Sequence, residues 1–356
     1  MRKTYLLAQK EMGRRVMGVF PAQYPREILW AMHMTPAEIW DPPVEISRAN
    51  AHLQPYICSV VKSGLELILA GKCDFLDGFL FPHTCDSIQN LASIINDYLT
   101  LKKPCYFFYH PKAPYKPSSR SYYIQQLKTL ISTLEREMGP LDPREFKASV
   151  ARGRTLGALI SSIYGQRRNG ALTASNADFY RTMRQGEYLH PDDFIPLLES
   201  FRVQNGGQHA PGPAVILSGV LPNPPEILYL LDDLGVRIAD DDLLNCGRRW
   251  MVEGTQAQDP FEALADGYFS LPPCTTKESP IAERIRFLTR MIEKSGAKGV
   301  IFYMVKFCEP ELFDVPIISE AIKQLGVPVL MLDVDINQGL TGQLTTRVEA
   351  FVEMMR

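Results

Sequence analysis

The stretch Gly299-Val-Ile-Phe-Tyr-Met-Val305, running on into Lys306-Phe307-Cys308-Glu309-Pro310, decides how this chain folds. The run is strand-length and far too short to cross a membrane, and it reads as a strand buried on both faces. A short loop follows, then a cysteine, an acidic residue and a helical pattern. The same order occurs earlier. Phe75–Phe81 (FLDGFLF) leads into Pro82-His83-Thr84-Cys85-Asp86 and a helix with Ile88, Leu91, Ile94, Ile95 and Leu99 on one face. In open α/β sheets ligands gather outside the carboxyl ends of strands, where loops and helix N-termini converge. Cys85 and Cys308 therefore stand where chemistry is expected, one in each half of the chain.

Around these segments, short apolar runs alternate with helical periods, the pattern of parallel sheets joined by crossover helices. Arg15–Phe20 reads as a strand, 25–32 as a helix, 55–70 as a helix ending at Gly71, and Pro104–Tyr109 as a strand. From about Tyr122 to Phe201 the pattern is helical with no convincing strand. Gly206–Pro213 (GGQHAPGP) is the best domain boundary. Beyond it the alternation restarts with strands at 214–220, 236–239, 300–305 and 327–332, and helices at 225–234, 281–295 and 317–325. The final helix carries Leu344, Val348, Phe351, Val352 and Met355 on one face. The expected class is α/β, with two Rossmann-like, doubly wound parallel-sheet lobes and an intervening helical segment. Residues 1–205 form the N-terminal lobe with its helical extension, and residues 206–356 the C-terminal lobe. A length of 356 residues favours two domains over one or three.

With 46% apolar and 22% charged residues, the composition is that of a soluble globular protein. The formal charge of −2, with Lys and Arg dispersed, argues against nucleic acid as a partner. No apolar run approaches a membrane span. Lys10, Glu11, Arg14 and Arg15 interrupt the apolar Tyr5–Ala8, so no signal peptide is read and a cytoplasmic location is expected. Several motifs are missing: GxxxxGK[ST], a strand-linked GxGxxG, GxSxG and HExxH.

Seven cysteines remain to be explained. In a reducing compartment they are not expected to form disulfides. Cys73, in a turn beside Asp74, and Cys105, in a strand, read as small buried hydrophobes. Cys58 opens a helical run, and Cys85 and Cys308 stand near helix starts, where the helix dipole favours thiolate. Three thiolates suit zinc or an iron–sulfur cluster. The absence of any CxxC pair disfavours a zinc ribbon or a ferredoxin-type site.

At these residues the sequence resembles a family. Gln54–Ser59 (QPYICS), Phe81–Leu91 (FPHTCDSIQNL), Lys306–Phe313 (KFCEPELF) and Gly342–Glu353 (GQLTTRVEAFVE) are similar to the 2-hydroxyacyl-CoA dehydratase/benzoyl-CoA reductase superfamily. The likeness runs from about Gly18 to Phe351. It implies a pair of similar subunits, each with two Rossmann-like lobes and a [4Fe–4S] cluster held by three cysteines, here Cys58, Cys85 and Cys308. It also implies a homologous cluster-binding subunit as partner, a separate ATP-hydrolysing iron–sulfur activator, and an acyl-CoA substrate. Family members either dearomatise benzoyl-CoA or dehydrate (R)-2-hydroxyacyl-CoA through a ketyl radical. Phe81–Leu91 and Lys306–Phe313 look closer to the smaller benzoyl-CoA reductase subunit.

Two further cysteines lie in family-like segments. Asp240–Arg249 (DDDLLNCGRR) contains Cys246, about one position from where the resemblance would put a cysteine, and Leu271–Lys277 (LPPCTTK) contains Cys274. As extra ligands they would imply the double-cubane [8Fe–9S] cluster of one branch of the superfamily; the plain alternative is that neither binds metal. Arg248 and Arg249 either contact CoA phosphates, remain on the surface, or pair with Asp240–Asp242. His83, two residues before Cys85, is a candidate proton donor, and His110 also follows a strand. An electron-relay subunit and a homodimeric double-cubane reductase stand as further functional readings.

Overall fold

The computed structural model describes residues 2–99, 101–209, 212–250 and 257–356. Its helices are α1 (Arg2–Glu11), α2 (Arg26–Ala31), α3 (Ser59–Leu69), α4 (Asp86–Ser93), α5 (Ser119–Met138), α6 (Pro143–Arg168), α7 (Asn176–Met183), α8 (Pro191–Gln204), α9 (Glu226–Asp233), α10 (Gly247–Trp250), α11 (Pro260–Ser270), α12 (Ile281–Ser295), α13 (Glu309–Gln324) and α14 (Gly342–Met354). The strands are β1 (Arg15–Val19), β2 (Met34–Glu38), β3 (Gly78–Pro82), β4 (Cys105–Phe108), β5 (Ala214–Gly219), β6 (Arg237–Leu243), β7 (Gly299–Val305) and β8 (Val329–Val334). They form two four-stranded sheets in the orders β2-β1-β3-β4 and β6-β5-β7-β8. Every pairing is parallel. The second half of the chain thus repeats the topology of the first, and the expected α/β class with two Rossmann-like lobes holds.

The chain divides into two compact units that interleave in sequence. Unit 1 comprises Met1–Ala158, Gln185–Ile195 and Val252–Leu271; unit 2 comprises Leu159–Arg184, Pro196–Met251 and Pro272–Arg356. The expected boundary in Gly206–Pro213, of which residues 210 and 211 lie outside the described residues, falls inside unit 2. The helical segment α5–α8 is shared out between the units, and α11 rejoins unit 1. The reason for that return is a cluster of aromatic and polar contacts. Tyr268 of α11 stacks on Tyr123 with ring centroids 4.5 Å apart, and its hydroxyl donates to the Pro111 carbonyl at 2.6 Å. Nδ1 of the buried His110 lies 2.9 Å from the same hydroxyl, which gives this histidine a packing role.

In unit 1, Met17, Leu80 and Phe108 of the sheet pack against Ile28 of α2 and Leu127 of α5. In unit 2, Ile216 and Phe302 pack against Leu288 of α12 and Ile318 of α13. Strands β2, β3, β5 and β7 are buried at every residue, as expected of parallel sheets covered on both faces.

Three elements depart from the sequence expectation. β2 carries no strand signal of its own, because Met34-Thr-Pro-Ala-Glu38 lacks an apolar run. It forms through its parallel register with β1, in which Val16 lies opposite Thr35. β6 runs on through Asp240, Asp241 and Asp242, where an acidic triplet reads as a strand end. All three are buried because each carboxylate finds a partner. α13 starts at Glu309, eight residues before the periodic segment. Pro310 occupies its first turn, where proline lacks only a donor that the helix leaves unpaired, although Pro316 lies further in.

Gly219, the last residue of β5, has φ of +154°, and a Cβ there would lie 2.1 Å from the Tyr303 carbonyl oxygen. Only glycine lets β5 and β7 approach this closely at the point where the strand order reverses.

Candidate functional site

β3 and β7 occupy the same place in their sheets, third in the orders 2-1-3-4 and 6-5-7-8. Each adjoins the first strand of its lobe, so its carboxyl end marks the topological switch point. Cys85 follows β3 and is the N-cap of α4, and Cys308 follows β7 and is the N-cap of α13. Cys58 is the N-cap of α3, the helix that leads into β3. In the second lobe its counterpart is Cys274, the N-cap of the 3₁₀ turn Thr275–Lys277 that precedes α12 and β7. The echo between Cys85 and Cys308 is visible in the sequence. The match of Cys58 with Cys274 needs the strand orders.

The Cys85 loop is tied down by its neighbour. The buried Thr84 hydroxyl donates to the Pro21 carbonyl at 2.8 Å and accepts from the Ala22 N–H at 3.0 Å. Lys112 Nζ donates to the Thr84 carbonyl at 3.1 Å. The His83 N–H bonds to the Phe108 carbonyl at 2.9 Å, and its half-buried ring stands edge-on to Tyr109 at 5.7 Å. Burial pushes the Cys85 thiol up to about 11, and neighbouring Cys58 adds to this. The N–H groups of Ile88 and Ser87 and the Lys112 ammonium act the other way, although no strict capping bond forms. The Cys85 thiol is therefore costly to ionise unless a cation compensates it. A cationic metal centre does that, so the donor chemistry fits iron or another thiophilic metal.

In unit 2 the turn after β7 is tight. The Lys306 N–H bonds to the Val334 carbonyl at 2.8 Å, and the Cys308 N–H to the Val305 carbonyl at 2.9 Å. Phe307 between them has φ of +63°, unusual for a bulky residue. Unit 1 thus brings Cys58 and Cys85 together, while Cys308 and Cys274 belong to unit 2.

The two candidate extra ligands sit in polar surroundings of their own. Cys274 is buried, 3.5 Å from Arg248 Nη1 and 3.1 Å from the Thr276 hydroxyl. Burial would raise its thiol, but Arg248, Arg284 and Thr276 outweigh that and hold it below the usual range. Cys246 is fully buried where β6 turns into α10. Of the two plain readings, Cys73 is buried and its thiol raised to about 12, by burial and then by Asp74. Cys105 is only half-buried on β4 and raised to about 11, again by burial first.

Arg248 resolves one alternative. It is buried and binds Asp242 through two nitrogens, at 2.7 and 3.1 Å, so it pairs with the acidic triplet. Asp240 meets Arg168 at 2.6 Å. Asp241 accepts from the Tyr164 and Tyr180 hydroxyls at 2.8 and 3.0 Å, and from the Gly247 and Leu243 N–H groups at 2.8 and 3.1 Å.

A two-lobed α/β chain with helix-capping cysteines at its strand ends defines a class of candidate metal-thiolate proteins. Comparison with known proteins narrows it. The model of the family "2-hydroxyglutaryl-CoA dehydratase, D-component" matches residues 21–355, and the chain belongs to that family. It is 24% identical to the (R)-phenyllactyl-CoA dehydratase beta subunit of Clostridium sporogenes, over 99% of this chain and 95% of that one. It is 26% identical to one subunit of the benzoyl-CoA reductase of Thauera aromatica, over 97% and 92% of the two chains. Identity to the (R)-2-hydroxyglutaryl-CoA dehydratase beta subunit of Acidaminococcus fermentans is 24%, over 99% and 96%. Among the described residues, no helix is long and apolar enough to cross a membrane.

Proposed function

We propose that this chain is the iron–sulfur subunit of an ATP-activated, low-potential reductase acting on acyl-CoA thioesters, of the benzoyl-CoA reductase type. The observation that carries the reading is that Cys58, Cys85 and Cys308 are all helix N-caps, two of them at equivalent strand ends. We assign these three as ligands of a [4Fe–4S] cluster. When bound, such a cluster supplies single electrons at low potential and leaves one iron without a protein thiolate.

The chain's own groups have definite tasks in this reading. The N–H groups of Ser87 and Ile88 and the Lys112 ammonium favour the Cys85 thiolate. Thr84 fixes the loop that carries it. His83 is assigned as a proton donor on the same loop. Cys274 serves Arg248 rather than iron, which favours the smaller cluster over a double-cubane [8Fe–9S] one. Partners in this reading are a homologous cluster-binding subunit and an ATP-hydrolysing iron–sulfur activator, in the cytoplasm. A second reading, a subunit of an (R)-2-hydroxyacyl-CoA dehydratase, is favoured by the near-complete matches to two dehydratase beta subunits.

The test is anaerobic purification with iron and sulfide counts on wild type and on Cys58→Ala, Cys85→Ala and Cys308→Ala. About four irons per chain are expected in the wild type, with a large loss in each variant and none in Cys73→Ala. Full iron in all three variants would sink the assignment. About eight irons per chain in a homodimer would establish the double-cubane form instead. Assay of the purified complex with benzoyl-CoA and with a 2-hydroxyacyl-CoA separates reductase from dehydratase.

A further inference from the structure

The segment Cys308-Glu309-Pro310-Glu311 has the spacing of a capping box, N-cap to N3. In that motif the N3 glutamate folds back onto the N-cap N–H. Here the Cys308 N–H is taken by the Val305 carbonyl at 2.9 Å, and Glu311 turns into the core instead. Its carboxylate meets Arg248 Nη1 at 2.5 Å and Arg284 Nη2 at 3.5 Å. One turn on, Asp314 meets Arg284 Nη1 at 2.9 Å. Both arginines also reach Asp242 at the end of β6, and Ser218 on β5 donates to the same carboxylate at 2.8 Å. Cys274 closes the shell around Arg248, and the Thr276 hydroxyl lies against the Cys274 sulfur. The opening turns of α13 are therefore bolted to the sheet through two buried guanidinium groups.

We propose that Arg248, seconded by Arg284, is a positioning residue for Cys308: Arg248 through Glu311, and Arg284 through Glu311 and Asp314, fix the axis of α13, and with it the direction in which the N-cap sulfur points. The turn before Cys308 supports this. Phe307 sits in the left-handed region, which an aromatic residue keeps only where its surroundings hold it there. The β7 side of the turn is held by main-chain bonds, and the α13 side by the arginine pair. The N-cap residue lies between the two anchors, so loss of either lets its side chain swing. An arginine is required because one planar group serves Asp242, Glu311 and Cys274 together, which a lysine ammonium on a flexible stem cannot do in one geometry.

The proposal rests on Cys308 being a cluster ligand only for its functional consequence, and the experiment separates the two. In the metal-free full chain, the rate at which a small thiol reagent modifies Cys308 is followed by mass spectrometry for wild type, Arg248→Lys, Arg248→Met and Glu311→Gln. Cys73 and Cys105, both in the other unit, serve as internal references. The Cys308 rate should rise about tenfold in Arg248→Lys and Glu311→Gln with the reference rates close to wild type, while the melting temperature falls because a buried charge loses part of its pairing. Arg248→Lys keeps the charge and so keeps the chain folded if Arg248→Met fails to fold. The iron-loaded Arg248→Lys protein should retain its iron but show shifted EPR g-values and midpoint potential. An unchanged Cys308 rate in both Arg248→Lys and Glu311→Gln overturns the proposal, and so does an equal rise at all three cysteines, which would mark general loosening. Full iron in Cys308→Ala would instead overturn the cluster assignment and leave the labelling result standing.

Discussion

Asp241→Asn should make the chain more stable at neutral pH, although it removes a charge that accepts four hydrogen bonds. The carboxyl is fully buried; burial first, and then the neighbouring Asp240, push it from 3.8 up to about 6. A folded-state value above the unfolded one means that folding retains a proton between the two. The ionised form therefore works against the fold, and stability falls as pH rises through that window. At about 1.4 kcal/mol per pH unit, the full penalty is roughly 3 kcal/mol, of which about 2 develops between pH 4.5 and 7.5. Asparagine keeps the shape. Its carbonyl can accept from the Gly247 and Leu243 N–H groups, while its amide faces the Tyr164 and Tyr180 hydroxyls, which rotate to accept. The assay is urea unfolding of wild type and variant across that pH range. The variant's advantage should grow by about 2 kcal/mol from pH 4.5 to 7.5. A difference that stays flat, or shrinks with pH, would show that the four donors keep the carboxylate ionised at no cost, and the reasoning would be refuted.

Tyr180→Phe removes one of those donors, so the loss of stability with rising pH should steepen, opposite in sign to Asp241→Asn and measurable in the same titration. Gly219→Ala drives a methyl against the Tyr303 carbonyl and should cost about 2 kcal/mol or more, a fall of roughly 4–8 °C in melting temperature. An unchanged melting curve would mean that β5 and β7 separate freely at the switch point. Thr84→Val leaves the buried Ala22 N–H without its acceptor and should cost about 1–3 kcal/mol by thermal melting. Its Cys85 thiol should also react faster than that of wild type, and equal rates would show that the loop holds without the hydroxyl.

What the sequence determined is the alternation of buried strands and amphipathic helices, and with it the α/β class. Apolar runs such as Phe79–Phe81 and Val300–Val305 pack wherever a sheet is covered on both faces, so their local pattern is sufficient. The cysteines at helix starts were legible for the same reason, since strand, loop and helix follow one another without a long-range partner. Tertiary structure alone decided the rest. β2 exists only because β1 pairs with it, and the return of α11 to unit 1 depends on Tyr268 meeting Tyr123, His110 and Pro111. Asp240–Asp242 read as a strand end because an isolated carboxylate is too costly to bury. They continue β6 because Arg168, Tyr164, Tyr180 and Arg284 arrive from distant segments to join the nearby Arg248 in satisfying them. Glu311 shows the same limit at one residue: local spacing points it at the Cys308 N–H, and a buried guanidinium from 63 positions away takes it into the core instead.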